Sequence, residues 1–563
     1  ASIPLSILSS IAVLGALGET INIMTLGGLA LAVGILVDDA TVTIENINRY
    51  LEEGKERDEA ILDGAAQIAV PAFVSTLAIC IVFVPMFLLS GVARYLFVPL
   101  AEAVVFAMLA SYILSRTLVP TLAMYLLRSH REGPAAHEPR QLSAFGRVQA
   151  RFEVAFEGLR ERYRNWLARC LARRARFLVG FGVISLLSLG VLVPFLGRDF
   201  FPSVDSGQFL LHVRARTGTR IEETARLCDQ VEQFLRQELP AQDVGSIIDN
   251  IGLPYSGINL SYSNSAPIGP SDADVLVSLK ESGRTDEYVH QLRLDLPGRF
   301  PGVTFAFLAP DIVSQILNFG LPAPIDVQIA GQDQAGNRKV ADRLLADLHG
   351  VLGVSDLRIQ QPADQPQLHI AVDRTKASQL GITQRDVASN LLVSLSGSSQ
   401  TQPSFWLNRK NGVSYAIATQ TPQYWIDNLQ DLETIGITSA GAPAAASGEL
   451  VGNPDLMASL ANIQRGAGQA VVSHYDIQPV IDIFGSTYGR DLGAVASDID
   501  RLVERARHDL PRGSQITVRG QIQTMRSSYL GLLAGLAFAI VLIYLLIVVN
   551  FQSWRDPFVI IAA

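Results

Sequence analysis

Apolar residues are spread very unevenly along this chain. Six stretches are almost wholly apolar: Ile3–Leu17, Ile21–Ile44, Ala69–Leu89, Ala103–Leu127, Phe177–Leu196 and Leu530–Val549. A helix needs about 20 apolar residues to cross the hydrocarbon core of a bilayer, so these predict transmembrane helices, the first of them truncated. Ala69–Leu89 carries no charge. Pro71, Pro85 and Pro120 fall in or near spans, where neighbouring helices can satisfy the freed backbone groups. Both ends read as cut, because the sequence opens inside an apolar run and Phe558–Ala563 begins another.

Residues 197–527 follow a different pattern. Gln208–Ala215 alternates like a strand, and Arg220–Leu239 has helical periodicity through Ile221, Thr224, Leu227, Val231 and Leu235. Val244–Ile251 and Asp274–Lys280 read as strands, Thr285–Phe300 as a helix and Val303–Leu308 as a strand. The order is βαββαβ, the ferredoxin-like split motif. It then restarts with strand Ile325–Ala330, helix Asn337–Leu348, strands Val354–Ile359 and Leu368–Val372, and helix Gln384–Leu395. A stretch rich in Gly, Ser, Gln and aromatics, 396–478, separates these from strand Val480–Phe484, helix Asp491–Leu510 and strand Gln515–Val518.

The fold class expected is therefore a multi-pass α-helical membrane bundle plus an α+β domain of ferredoxin-like modules. Four spans occupy 1–127, a basic amphipathic connection 128–176 and a further span 177–196. The first module covers 197–323. The second covers 324–395 and 479–527, interrupted by an insertion at 396–478. A last span at 528–550 leads into a turn and the start of another helix at 551–563.

Composition and charge add orientation. The chain has 563 residues, 49% of them hydrophobic, and a net charge of −8, which gives no reason to expect a nucleic-acid partner. Between 128 and 176 there are twelve arginines but only five acids, Glu132, Glu138, Glu153, Glu157 and Glu161. By the positive-inside rule this connection is cytoplasmic, as is Glu45–Ala60, and 197–527 lies on the opposite side. The arginine run also reads as a solvated helix face. Phe152, Phe156, Leu159 and Tyr163 recur at helical spacing, as in a helix resting on the membrane surface. Cys80, Cys170 and Cys228 form no visible disulfide framework.

The most informative chemistry is Gly34-Ile35-Leu36-Val37-Asp38-Asp39-Ala40, inside the second apolar stretch. One aspartate near the bilayer centre costs about 2.5–3.5 kcal/mol on insertion scales. Two ionised neighbours also repel, so the pair is expected to titrate as a unit, suited to binding and releasing a proton. Thr41 and Thr43 follow one turn after Asp38 and Asp39 and offer hydroxyls on the same faces. The alternative is that the span ends early and leaves the pair at the water boundary. Glu102 is expected at the outer mouth of its span, and Arg116 either snorkelling or paired with an acid. No phosphate loop, zinc-protease motif, C-x-x-C or nucleophile elbow occurs, so no enzyme or resident metal is expected. The only methionines in the soluble part, Met457 and Met525, give no support to a thioether metal site.

Gly34 to Asn46, GILVDDATVTIEN, resembles the fourth transmembrane helix of resistance–nodulation–division (RND) exporters of the hydrophobe/amphiphile branch. Phe200-Phe201-Pro202, Val372-Asp373-Arg374-Thr375-Lys376 with Leu380-Gly381-Ile382, and Asn550-Phe551-Gln552-Ser553-Trp554 resemble the same family. The resemblance covers the whole chain, as that family's third helix to the start of its ninth. It implies a homotrimer in the bacterial inner membrane with a large periplasmic domain, moving small amphiphilic substrates against protons. It also implies contact with membrane lipid, a periplasmic adaptor and an outer-membrane channel, and gives 396–478 as a docking insertion. Asp38 and Asp39 carry over as the proton relay, with protons as coupling ion and no other cofactor. The relay's partners lie on later helices. In multidrug members a phenylalanine-rich loop lines a drug pocket. Here the corresponding candidates are Ile251, Leu253, Tyr255, Tyr262 and Leu276, a departure that leaves the substrate open. Other readings are an RND relative moving lipids or metal ions and an accessory subunit of protein secretion.

Overall fold

The structure is a computed structural model that describes residues 2–126, 144–201, 205–253, 267–280, 283–318, 320–399, 401, 403–439 and 454–562. The chain divides into two compact units. One comprises 1–206, 308–358 and 482–563, and the other 207–307 and 359–481.

The first unit holds the apolar helices. They are α1 (Ser2–Ala16), α2 (Ile23–Glu52), α4 (Ala69–Val82), α5 (Val84–Phe87), α6 (Gly91–Leu126), α8 (Arg174–Leu192) and the helix Gln521–Phe551, joined by the more polar α3 (Arg57–Gln67) and α7 (Ala144–Ala172). Among the described residues, five helical segments are long and apolar enough to cross a membrane, while α1 is shorter. Asn22 starts α2 with a capping box: its side chain accepts from the Met24 and Thr25 amides, and the Thr25 hydroxyl accepts from the Asn22 amide. The expected span Ala69–Leu89 is broken at Phe83, where Pro85 cannot donate to the preceding turn. The span expected at 103–127 starts at Gly91 instead, because Pro99 and Glu102 do not stop the helix. Helices α2 and α6 pack so closely that a methyl group on Gly28 would lie 2.5 Å from the Leu100 carbonyl oxygen. On α7, Phe152, Phe156, Leu159, Tyr163 and Trp166 are all exposed.

The other unit contains β1 (Gln208–Arg214), the helix Ile221–Glu238, β2 (Val244–Ile251), β3 (Asp272–Leu279), the helix Thr285–Arg299 and β4 (Thr304–Leu308). The sheet order is β2-β3-β1-β4. Phe209, Leu211 and Val213 alternate into a core with Val275, Val277, Val231, Leu235 and Leu292.

The second module lies in the first unit. Its strands are β5 (Ile325–Ala330), β6 (Val354–Ile359), β14 (Gln478–Thr487) and β15 (Gln515–Gly520), with helices Gln334–His349 and Leu492–Ala506. Strand β14 sits between β5 and β6, and β5 pairs with β15, so the order again runs second-third-first-fourth.

This corrects the expected division of that module. Strand β7 (Gln365–Val372) does not join it but pairs with β12 (Ala461–Gly468) in a separate two-stranded sheet. The helix Gln384–Ser396 packs in the same unit, where Val387 shares a core with Ile437, Met457 and Leu460. The insertion therefore spans 360–477 rather than 396–478. The physical reason lies in the strands: β7 is largely exposed, whereas Val480–Phe484 of β14 is buried throughout and suits a central position.

Candidate functional site

Asp38 and Asp39 sit sixteen and seventeen residues into an unbroken helix that runs on to Glu52. Adjacent helical residues are about 100° apart around the axis, so the two carboxylates serve different faces. Asp38 is exposed and Asp39 is half-buried. The Thr76 hydroxyl of α4 lies 3.4 Å from Asp39 Oδ1, and Asp39 Oδ2 is buried without a hydrogen-bond partner among the described residues. Thr76 also lies 2.9 Å from the Ala72 carbonyl.

One hydroxyl carries one proton, which makes this arrangement two-way. When Asp39 is ionised, Thr76 can donate to it. When Asp39 is protonated, its own O–H can donate to the Thr76 oxygen while Thr76 donates to Ala72. The Thr76 hydroxyl can thus serve Asp39 Oδ1 in either protonation state.

Thr41 and Thr43 act otherwise than expected. Thr41 Oγ1 donates to the Val37 carbonyl at 2.9 Å, and Thr43 Oγ1 to the Asp39 carbonyl at 2.7 Å. Both bind backbone one turn back, as helical threonines do, and neither reaches a carboxylate. Sequence reasoning missed Thr76, although Ser75-Thr76 is the one hydroxyl pair in an otherwise apolar stretch. Ser111 Oγ of α6 lies 3.4 Å from the Leu36 carbonyl and extends this polar seam.

Arg116 is a correction. Its Nη1 donates to the Ala65 carbonyl at 3.3 Å, with its guanidinium 5.6 Å from the Tyr112 ring centroid. Asn46 Nδ2 reaches the Gly64 carbonyl at 2.7 Å, and Arg49 and Tyr50 converge on Gln67 Oε1 at 2.8 and 3.0 Å. These groups close the C-terminal end of α3, where carbonyls lack intrahelical partners and favour positive charge. Arg116 therefore serves a helix end, with Asp39 as the acid whose charge reaches it and no acid at ion-pair distance among the described residues. Glu102 lies eleven residues after Gly91 in α6, with Oε2 buried and with the charge of Glu19, in the turn between α1 and α2, as its neighbour.

The pocket candidates among the described residues are spread over two strands and a groove. Ile251 and Leu276 lie on β2 and β3, where Leu276 pairs with Ile248 and Ile251 with Ala273. Leu253 lines an open groove of about 590 Å³ with Arg220, Ile221, Ile268, Pro270 and four glutamines, Gln365, Gln367, Gln423 and Gln469. Tyr255 and Tyr262 lie outside the described residues. Among the described residues no cluster of His, Cys, Asp and Glu is arranged to hold a metal ion.

Comparison with known proteins places this geometry. Protein HelA of Legionella pneumophila is 24% identical over 99% of this chain and 51% of its own length. The cation efflux system protein CusA of Escherichia coli K12 is 23% identical over 100% of this chain and 51% of its own. The multidrug export protein AcrF of the same organism is 24% identical over 99% and 51%. The chain thus spans about half the length of the curated relatives it matches. A crystal structure of a heavy metal efflux pump superposes with a TM-score of 0.74 at 24% identity, covering 97% of this chain and 50% of that one, which shows a shared fold. The profile of the AcrB/AcrD/AcrF family matches residues 1–563 from end to end, and the chain belongs to that family.

Proposed function

We propose that this chain is part of a proton-driven RND permease of the bacterial inner membrane that exports hydrophobic or amphiphilic compounds. The observation that carries the reading is Asp39: a carboxylate inside an apolar helix bundle, beside a hydroxyl able to serve it in either protonation state. Asp38, on the open side of α2, is the partner that faces the rest of the transporter. The two βαββαβ modules are read as ferredoxin-like porter modules in the periplasm. The segment 360–477 is read as the docking insertion toward neighbouring subunits of a homotrimer and an outer-membrane channel, with a periplasmic adaptor alongside.

A second reading, export of metal ions, is favoured by the names of CusA and of the cation efflux protein CzcA of Alcaligenes, 23% identical over 95% of this chain. The amphiphile reading is supported by the methionines of the soluble part. Met457 and Met525 are buried side chains that pack in cores and present no sulfur to a passing ion.

The test uses the full-length pump. Asp38→Asn and Asp39→Asn remove the titratable proton and keep the shape, so assembly holds while export of a fluorescent amphiphile falls to background. Metal-sensitivity assays on the same strains decide the substrate: loss of metal tolerance with amphiphile export untouched keeps the coupling role and supports the second reading. Only normal amphiphile export with unchanged metal tolerance in both variants refutes the coupling role. Orientation is checked by thiol labelling in intact spheroplasts with native cysteines replaced. An impermeant reagent should label Asn411→Cys and leave Glu161→Cys unmodified; the reverse pattern inverts the topology.

A further inference from the structure

Strand β5 places Ile325, Val327 and Ile329 on one face of the second module's sheet and Asp326, Gln328 and Ala330 on the other. Asp326 is 1% exposed, and neither of its carboxyl oxygens has a hydrogen-bond partner among the described residues. The flanking strands are β14 and β15. From β14 the charged neighbour is Asp482, whose Oδ1 already accepts from Gln328 Nε2 at 2.9 Å. From β15 it is Arg519, which stands opposite Asp326 in the register without hydrogen-bonding to it. The helix Gln334–His349 turns Asn337, Val340, Ala341, Leu344 and Leu348 inward, with no charged group among them.

We infer that Asp326 is a proton-binding group of the second module, holding a hydrogen atom in the folded chain and releasing it when water reaches its sheet face. The chemistry is one of supply and demand. An ionised carboxylate here would be a buried charge accepting no hydrogen bond, with a second acid nearby, and such charges are avoided by neutralisation. The neutral acid also carries an O–H of its own to donate beside a second carboxylate. Burial, and after it the charge of Asp482, push the Asp326 carboxyl well above the usual carboxylate range, against the pull of Arg519.

Proton binding and packing are then linked. The closed sheet face binds one more proton than the opened one. Its opening equilibrium therefore grows as pH rises, by up to about tenfold per pH unit between the ordinary carboxylate value and the raised one. This site lies in the soluble module, apart from the membrane aspartates, and the inference does not depend on their role.

Infrared difference spectra of full-length wild type against Asp326→Asn at pH 7 provide the test. A carboxylic-acid C=O band present in the wild type and missing from the variant is the expected result. A carboxylate band alone in the difference overturns the inference. If the variant fails to assemble, hydrogen exchange of wild-type peptides covering 325–330 decides on its own. After correction for intrinsic exchange, protection should fall with rising pH, and protection independent of pH between 5 and 9 also overturns it.

Discussion

The two βαββαβ modules share one strand order and treat the same sheet face in opposite ways. In the first, His212 and Arg214 on β1 stand opposite Asp274 and Asp272 on β3 in the register. Arg214 binds Asp272 through Nε at 3.1 Å and Nη2 at 3.0 Å, and spends Nη1 on the Ile359 carbonyl at 3.0 Å. His212 Nδ1 lies 2.7 Å from Asp274 Oδ1. In the second module the corresponding first strand offers Asp326 and Gln328, and the third offers Asp482. One face is a closed ion network, and the other keeps an acid that accepts no hydrogen bond among the described residues. The apolar, helix-facing residues suffice to specify the fold, so the opposite face is free to carry different chemistry.

The sharpest way to break this comparison is to open the closed network. Asp272→Ala leaves Arg214 as a buried guanidinium without its carboxylate, and removing one partner of such a pair costs about 3–5 kcal/mol. Thermal unfolding of the full-length protein, with hydrogen exchange over 208–214, should show that loss at every pH from 6 to 9.

The second module should respond with the opposite sign. The raised carboxyl of Asp326 means that the folded state holds its proton more tightly than the unfolded chain. Its contribution to stability is complete below the unfolded value, near pH 4, and is lost as pH rises toward the folded one. Asp326→Asn should therefore be more stable than wild type at pH 8, by about 1–3 kcal/mol, the usual cost of an unsatisfied buried polar group, and the gap should close toward pH 4.

The smallest effect belongs to Asp249 on β2, which burial, and after it Glu232, push up to about 6. The sign is the same: stability is lost between about pH 4 and 6. Because Asp249 is only half-buried, Asp249→Asn should give a slight gain above pH 6 and none below 4, measured by chemical denaturation. A larger gain than that of Asp326→Asn would reverse the ranking of the two sites.

Much of this was legible in the sequence. Alternation and helical periodicity located the strands and helices of the first module, and the cost of burying charge singled out Asp38 and Asp39. Pairing across distance was not legible. Strand β7 follows β6 within a few residues and reads as its natural neighbour, yet its partner β12 lies some 90 residues on, from Val372 paired with Ala461 outward. Nor did the sequence reveal that Arg116 serves Ala65 on α3, because a helix end can be capped by any donor that folding brings near. The hydroxyls one turn from the aspartates were a sound local guess. They bind elsewhere because a helical threonine has the carbonyl one turn back within closer reach than a neighbouring side chain.

Strands β6 and β14 are adjacent in their sheet, with Gly485 packed against Leu357 and Ser355. The segment 360–477 thus departs from one strand and returns on its neighbour, one strand spacing or about 4.8 Å away. Such a locus works as a socket. The host sheet needs only a hairpin there, so what is plugged in can grow, shrink or be exchanged without disturbing the strands that hold it. In the first module the same locus, between β2 and β3, carries only residues 252–271. Two copies of one architecture differ in what each accepts at a single joint, and a transplanted insert should be tolerated at either.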